Sequence, residues 1–174
     1  MRTTVLLSSS DSLKSMRMDK QSFTRKYLPV ARLAGELYGL NPVVILAQSA
    51  IETGWGESAL ATLYNNFFGL TGYGVANAYW HGGKTDLDKP DGLLFRRYDS
   101  IENSFLDFAR LIATVYKQAA VVSHYPAAYA REIAYSRYIS EVNGDNREAY
   151  CNMLERIARS LVPIVYNLNN KESV

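Results

Sequence analysis

The sequence has few of the residues that build disulfide scaffolds or metal centres. Cys151 is the only cysteine among 174 residues, which excludes an internal disulfide and a cysteine-based metal site. His81 and His124 are the only histidines, and no metal-ligand spacing surrounds either one. We therefore predict a protein with no metal and no cofactor, in which both histidines are ordinary surface or hydrogen-bonded residues.

Strong charge of one sign and long apolar runs are also missing. A net charge of +2 is too small to indicate a nucleic-acid partner. No segment reaches the roughly 20 apolar residues of a membrane span. Residues 5–7 are a short apolar run, whereas a secretory signal needs roughly 7–15 apolar residues. The sequence predicts no nucleic-acid partner, no membrane span and no convincing signal peptide, so that any export would need another route.

The residues that are present suit one globular domain. Hydrophobic residues make up 48% of the chain and charged residues 21%, and the length allows a single core. Thirteen tyrosines are many for this length, and their rings suit either stacking on sugars or the rim of an ordinary core. We predict a monomer with a polar N-terminal arm over residues 1–21, one domain over 22–168 and a polar tail over 169–174.

Apolar spacing predicts helices on both sides of a middle segment rich in glycine and aromatic residues. Asn41 is placed to cap the second helix, Asp99 to cap the fourth, and Gly39 and Gly54 to end the first two. The predicted helices cover residues 24–38, 42–53, 57–63, 100–115, 126–135 and 145–168.

The middle segment, residues 65–98, has a different pattern. Pro90-Asp91-Gly92 signals a turn between two candidate strands, residues 83–88 and 93–98. We therefore predict an α+β fold, mainly α, in which a small β-hairpin lobe adjoins a helical body.

Glu52 stands near the end of the apolar second helix, with Gln48 one turn earlier on the same face. A helix C-terminus carries partial negative charge, which disfavours a carboxylate and should raise its pKa. Burial beneath Trp55 or another aromatic residue would raise that pKa further. A carboxyl group that is still protonated near neutral pH can donate to a glycosidic oxygen. The alternative interpretation is a solvated residue at a helix end.

Several motifs in the correct order resemble the glucosaminidase family, glycoside hydrolase family 73, which includes many autolysin catalytic domains. The family form is Glu-(Ser/Thr)-Gly-Trp-Gly, then Ser-x-Leu-Ala and Asn-Asn-Phe-Gly. The resemblance covers about residues 25–162. It is carried by Glu52-Thr53-Gly54-Trp55-Gly56, Ser58-Ala59-Leu60-Ala61, Asn65-Asn66-Phe67-Phe68-Gly69 and Phe95-Arg96-Arg97-Tyr98-Asp99-Ser100.

The resemblance implies a lysozyme-like fold with a substrate cleft between the helical body and the β lobe. It also implies an endo-β-N-acetylglucosaminidase that cleaves the bond from N-acetylglucosamine to N-acetylmuramic acid in peptidoglycan, with Glu52 as the general acid. Such a protein acts on the cell wall, in the periplasm or outside the cell. Alternatives are a lytic transglycosylase on the same glycan and a non-catalytic wall-binding module.

Family members often carry a second acid in the β lobe after a threonine. Thr85-Asp86 follows Glu52 by 34 residues, so Asp86 is the candidate base or stabiliser, although the usual residue is Glu. Asp88 and Asp91 are rivals, and the substrate's own 2-acetamido group could act instead.

The resemblance also suggests residues that line the cleft. Tyr135 is the candidate for the family's catalytic tyrosine, with Tyr138 as its competitor. Asn66 either binds an acetamido group or braces its loop, and Trp80 is expected to be exposed and to stack on a sugar. The predicted substrate-binding residues are Gln48, Asn66, Phe68, Trp80 and Tyr138.

Overall fold

The computed structural model describes residues 18–85, 92–140 and 146–172, and this part of the chain is mainly helical. The candidates for the second acid lie outside the described residues; they are Asp86, Asp88 and Asp91. The described helices are α1 (Lys20–Tyr38), α2 (Pro42–Thr53), α3 (Ala59–Tyr64), α4 (Ile101–Val115), α5 (Lys117–Val121), α6 (Pro126–Ala134) and α7 (Arg147–Glu172).

The first two helices begin and end where short polar residues and glycine allow it. The side chain of Asn41 accepts a hydrogen bond from the amide of Val43 at 2.9 Å, and Pro42 occupies the first turn of α2. Gly39 ends α1 at φ 70° and Gly54 ends α2 at φ 56°, both left-handed. These predicted caps are confirmed.

Helix α2 is the central rod of the helical body. Its residues Val44, Ile45, Leu46 and Ala47 have no exposed surface, as expected of a helix that is apolar on every side. It packs against α1 and α7. Packing from both sides therefore holds the end of α2, which carries Glu52, in a definite place.

The later helices agree with the predicted apolar stripes, with one corrected cap. Leu154 and Leu161 of α7 are fully buried, and α7 continues through Pro163. Helix α4 is capped by Ser100, whose side chain accepts from the amide of Asn103 at 3.1 Å, so the prediction of Asp99 as the cap is wrong. Asp99 instead pairs with exposed His81 at 2.8 Å. Helix α5 was not predicted.

The segment between α3 and α4 is held together without regular strands among the residues that the structure describes. Two isolated antiparallel bridges join Thr71 to Phe95 and Lys84 to Arg96. Residues 94–97 thus lie between residues 70–72 on one side and 83–85 on the other, and the amide of Thr85 donates to the carbonyl of Phe95 at 2.9 Å. The predicted hairpin is not seen as a regular strand pair in this part.

Across residues 18–85, 92–140 and 146–172, every helix is too short or too polar to pass through a lipid bilayer.

Candidate active site

Glu52 is half-buried in the last turn of α2, and the residues after it reverse the chain sharply. Gly54, Trp55 and Gly56 all have positive φ, at 56°, 66° and 88°. The Thr53 hydroxyl donates to the carbonyl of Ser49 and accepts from the amide of Gly56 at 2.7 Å. The Thr-Gly-Trp-Gly sequence therefore builds the turn that presents the end of α2.

A cleft of about 730 Å³ opens beside Glu52. The helical body supplies one wall, and residues 68–71 with Arg96 supply part of the other. The described residues that line it include Ile51, Glu52, Phe68, Gly69, Leu70, Thr71, Arg96, Leu111, Tyr116, Arg137, Tyr138, Ile139, Asn146, Ala149, Tyr150 and Met153.

Tyrosines surround the carboxylate of Glu52. The Tyr150 hydroxyl of α7 donates to Oε1 of Glu52 at 3.0 Å. Burial, followed by the negative charge of Glu52, raises the pKa of both Tyr138 and Tyr150 well above the usual value for tyrosine. Of the two possibilities for an aromatic residue beside Glu52, the structure shows Tyr150 rather than Trp55, and Trp55 packs edge-on against Phe23 with ring centroids 5.3 Å apart.

The structure brings Tyr138, not Tyr135, to the cleft. Tyr135 follows the end of α6 and is 58% exposed, and it is not among the cleft-lining residues. Tyr138 lines the cleft, and its hydroxyl lies 3.4 Å from the carbonyl oxygen of Phe68, to which it donates. Of the two tyrosines considered for a catalytic role, Tyr138 therefore lines the cleft and Tyr135 does not, and the catalytic role itself stays a prediction.

Gly69 faces Glu52 from the opposite wall, and Asn66 holds the loop that carries it. A Cβ atom on Gly69 would lie 3.7 Å from Oε2 of Glu52, and Gly69 has φ 61°. Asn66 is buried; it donates to the carbonyls of Leu70 and Arg96 and accepts from the amides of Phe68 and Leu70. Asn66 therefore braces the loop, and its predicted contact with an acetamido group is not supported.

Three other predicted substrate contacts are buried packing residues. Gln48 has no exposed surface, so it reaches the site only through Tyr150. Phe68 borders the cleft but is 2% exposed, and it stacks face to face on Phe108 with centroids 3.8 Å apart. Trp80 is buried rather than exposed: its indole N–H donates to the carbonyl of Gly83 at 2.6 Å.

A buried ionic cluster supports the non-helical wall. Asp107 of α4 has no exposed surface and accepts hydrogen bonds from Arg96, Arg110, Tyr98 and Asn77. Burial alone would raise the pKa of Asp107, but these hydrogen bonds and the charge of Arg96 lower it below its ordinary 3.8. Arg96 also covers the ring of Trp80 at 4.3 Å. The cluster joins the cleft-lining Arg96 to α4.

No group of three or more His, Cys, Asp or Glu side chains suited to a metal ion occurs in the described part of the chain. The site contains instead one carboxylate, three tyrosines and the guanidinium groups of Arg96 and Arg137. Such a set can donate a proton, hold the donor in place and attract an anionic ligand.

Tyr150 is the site residue that sequence reasoning missed. Its spacing with Leu154, Ile157 and Leu161 predicts one apolar stripe of a helix, which is correct for packing. A tyrosine in such a stripe has a polar hydroxyl that needs a partner when it is buried. The need of a buried tyrosine hydroxyl for a partner was the available signal. It did not identify the partner, Glu52, which lies 98 residues away in sequence.

A family model named Glucosaminidase and described as mannosyl-glycoprotein endo-beta-N-acetylglucosaminidase matches residues 28–161. Among curated relatives, the peptidoglycan hydrolase FlgJ of Pseudomonas aeruginosa is 28% identical over 162 residues, which are 85% of this chain and 38% of that protein. An autolysin of Enterococcus faecalis is 37% identical over 100 residues, 53% of this chain and 13% of that protein. The chain spans about a third of the length of the FlgJ relatives that it matches.

Solved structures show the same architecture. The glycoside hydrolase domain of Salmonella typhimurium FlgJ aligns with a TM-score of 0.65 at 26% identity, covering 90% of this chain and 96% of that one. A peptidoglycan hydrolase from Sphingomonas sp. A1 aligns with a TM-score of 0.61 at 25% identity, covering 84% and 94% of the two chains.

Proposed function

The chain belongs to the glucosaminidase family, and we propose that it is a peptidoglycan hydrolase in which Glu52 is the general acid. The observation that carries the proposal is the half-buried carboxylate of Glu52 in the wall of a 730 Å³ cleft. The bond cleaved is the β-1,4 linkage from N-acetylglucosamine to N-acetylmuramic acid. The curated relatives named as peptidoglycan hydrolases support this substrate.

In this mechanism Glu52 gives its proton to the bridging oxygen as the bond from that oxygen to the sugar C1 breaks. A water then adds its hydroxyl to C1, and its remaining proton returns to the enzyme. The sugar carries positive charge in the transition state. Glu52 becomes negative as its proton leaves, and its charge would stabilise the sugar. The site therefore suits hydrolysis of an acetal without a metal ligand.

Hydrolysis at C1 needs a second assisting group besides Glu52. Asp86 is our candidate to activate the water or to stabilise the charged sugar, with Asp88 and Asp91 as rivals. The alternative is the 2-acetamido group of the substrate itself, whose carbonyl oxygen would attack C1 of the same sugar as the bond from C1 to the leaving oxygen breaks. Replacing each aspartate by asparagine and measuring activity tests these roles separately.

Two cationic side chains of the cleft suit an anionic glycan. Arg96 and Arg137 line the cleft that Glu52 borders, and the peptides attached to peptidoglycan carry free carboxylates. Arg96 is already paired with Asp107, so Arg137 is the better candidate to meet the substrate. A peptidoglycan substrate implies that the protein acts in the cell wall, in the periplasm or outside the cell.

Digestion of purified sacculi tests the proposal. After borohydride reduction, mass spectrometry should find new reducing ends at N-acetylglucosamine. Products ending in 1,6-anhydromuramic acid would instead indicate a lytic transglycosylase, and binding without soluble fragments would indicate a wall-binding module.

Substitution of the acid gives the first quantitative prediction. Glu52→Gln keeps the shape of the side chain but removes the transferable proton, so kcat should fall by about 10³-fold or more. Glu57→Gln is the matched control, since Glu57 lies directly after the Glu52–Gly56 motif but is exposed and accepts a hydrogen bond from the amide of Met18 at 2.8 Å. Full activity in a folded Glu52→Gln protein would contradict the assignment.

A further inference from the structure

A chain of hydrogen bonds runs through the core of the helical body and ends on Glu52. The Tyr129 hydroxyl of α6 donates to the side-chain carbonyl of Gln48 in α2. The Gln48 amide donates to the Tyr150 hydroxyl of α7 at 3.4 Å, and that hydroxyl donates to Oε1 of Glu52 at 3.0 Å. Three helices therefore contribute to the orientation of one carboxylate.

The chain has a fixed direction. The Tyr150 oxygen accepts from Gln48, so its proton is available for Glu52, and Gln48 is oriented by accepting from Tyr129. Gln48 and Tyr129 have no exposed surface, which keeps water from replacing either partner. Reversing the chain would leave the buried Tyr129 hydroxyl hydrogen without the Gln48 carbonyl that accepts it, which is costly.

The two oxygens of Glu52 have different surroundings. Oε1 accepts the hydrogen bond from Tyr150, whereas Oε2 faces Gly69 across the cleft. A protonated carboxyl group has one O–H oxygen and one carbonyl oxygen. When Oε1 is the acceptor, the proton lies on Oε2, the oxygen on the side of Gly69.

We propose that Tyr150 is a positioning residue that holds Oε1 of Glu52 and so directs the transferable proton to Oε2, and that Gln48 and Tyr129 keep the Tyr150 hydroxyl in that orientation. This inference rests on the proposed function, because it concerns Glu52 as a proton donor. The donated hydrogen bond is stronger to a carboxylate than to a neutral acid, so it also stabilises Glu52 once its proton has left.

Tyr150 remains a donor over the working pH range. Burial, and then the charge of Glu52, raises the pKa of the Tyr150 hydroxyl well above its usual value. Other titratable or charged groups also face Glu52 from the cleft walls, and they stay unchanged when Tyr150 is replaced. They are Tyr138, Tyr116, Arg96 and Arg137.

Tyr150→Phe tests the role, because it removes the hydroxyl and keeps the ring. The midpoint of the Glu52 titration, followed by carbon NMR of labelled glutamate and identified by its loss in Glu52→Gln, should rise by about one pH unit. The alkaline limb of the kcat/KM profile on sacculi should move the same way, while kcat falls about 10-fold or more and KM changes little. Tyr166→Phe is the control, since Tyr166 is an exposed tyrosine of the same helix.

Gln48→Met extends the test to the second link. It should shift the Glu52 midpoint in the same direction by less than Tyr150→Phe does, because Gln48 does not contact Glu52. An unchanged Glu52 midpoint in folded Tyr150→Phe overturns the inference and leaves the proposed function standing if sacculi are still digested. Failure of the wild-type protein to release any glycan fragment overturns the proposed function itself.

Discussion

The two walls of the cleft are built by different physics. The helical wall, formed by α2 and α7, rests on apolar packing that buries Ile45, Leu46 and Leu154 completely. The opposite wall belongs to residues 65–85 and 92–98, which contain two isolated bridges. Its shape depends on buried polar side chains such as Asn66 and Asp107, which bind backbone groups or charges.

The helix that carries Glu52 and the wall that faces it are therefore stabilised by different interactions. Packing is tolerant of small changes in side-chain shape, whereas a buried polar group must keep its partners. We therefore expect loss of a single polar group to lower the free energy of unfolding most in the non-helical wall. The helical wall should set the chemistry of Glu52.

The largest stability effect is predicted for Asp107→Ala. Removing this buried carboxylate leaves Arg96, whose side chain is 11% exposed, without its ionic partner, which should lower the free energy of unfolding by about 3–5 kcal/mol. Chemical denaturation measures the loss. A loss of less than about 1 kcal/mol would mean that the non-helical wall does not depend on this buried carboxylate.

Asp99→Ala is the matched control, since Asp99 pairs with His81 at 2.8 Å on the surface and should contribute little to stability.

The pH dependence of the stability follows from the lowered pKa of Asp107. A carboxyl group with a lowered pKa stabilises the fold above its ordinary value of 3.8 and loses that effect as the pH falls through the folded-state pKa. The stability gap between wild type and Asp107→Ala should therefore narrow below about pH 4.

Gly69→Ala should change both stability and activity. The left-handed backbone at φ 61° makes any side chain cost about 1–2 kcal/mol, and the added methyl would lie 3.7 Å from Oε2 of Glu52. Gly39→Ala is the control, because Gly39 has φ 70° and no atom within 4 Å of its Cβ position. Both variants should lose similar stability, and only Gly69→Ala should lose kcat. Equal activity of the two would show that Gly69 does not face the reacting sugar.

The smallest effect is predicted for Arg137→Gln, which removes a cation from the cleft. The kcat/KM for native sacculi should fall about 3–10-fold at low salt, and less at high salt because ions screen the attraction. Sacculi whose peptide carboxylates are converted to amides should show a smaller difference. Arg131→Gln, at an exposed arginine of α6 outside the cleft, is the control. A loss that is the same on both substrates would argue against carboxylate recognition.

Local sequence patterns predicted the helical wall well. The caps at Gly39, Asn41 and Gly54 and the stripe in α7 follow from rules that act within one or two turns of a helix. The position of Glu52 at the end of α2 follows from the same rules. The family resemblance on residues 25–162 is confirmed by the match over residues 28–161.

The opposite wall was predicted less well. Turn signals suggested a regular hairpin, whose turn lies outside the described residues, and an aromatic beside two glycines suggested that Trp80 was exposed, whereas it is buried. Both inferences use only neighbouring residues, whereas Trp80 is buried by Arg96, and Arg96 is held by Asp107. Local spacing also could not decide whether Tyr135 or Tyr138 lines the cleft, because that depends on where the chain turns after α6.

The sequence by itself determined the helices, their ends and the place of Glu52 in the last turn of α2, because these depend on interactions between residues close together in the chain. Only the tertiary structure decided which groups surround that acid. Tyr150 reaches Glu52 from α7, 98 residues away in sequence. Gly69 reaches it from a loop that Asn66 braces. Such contacts arise from the packing of whole elements, which no local spacing encodes.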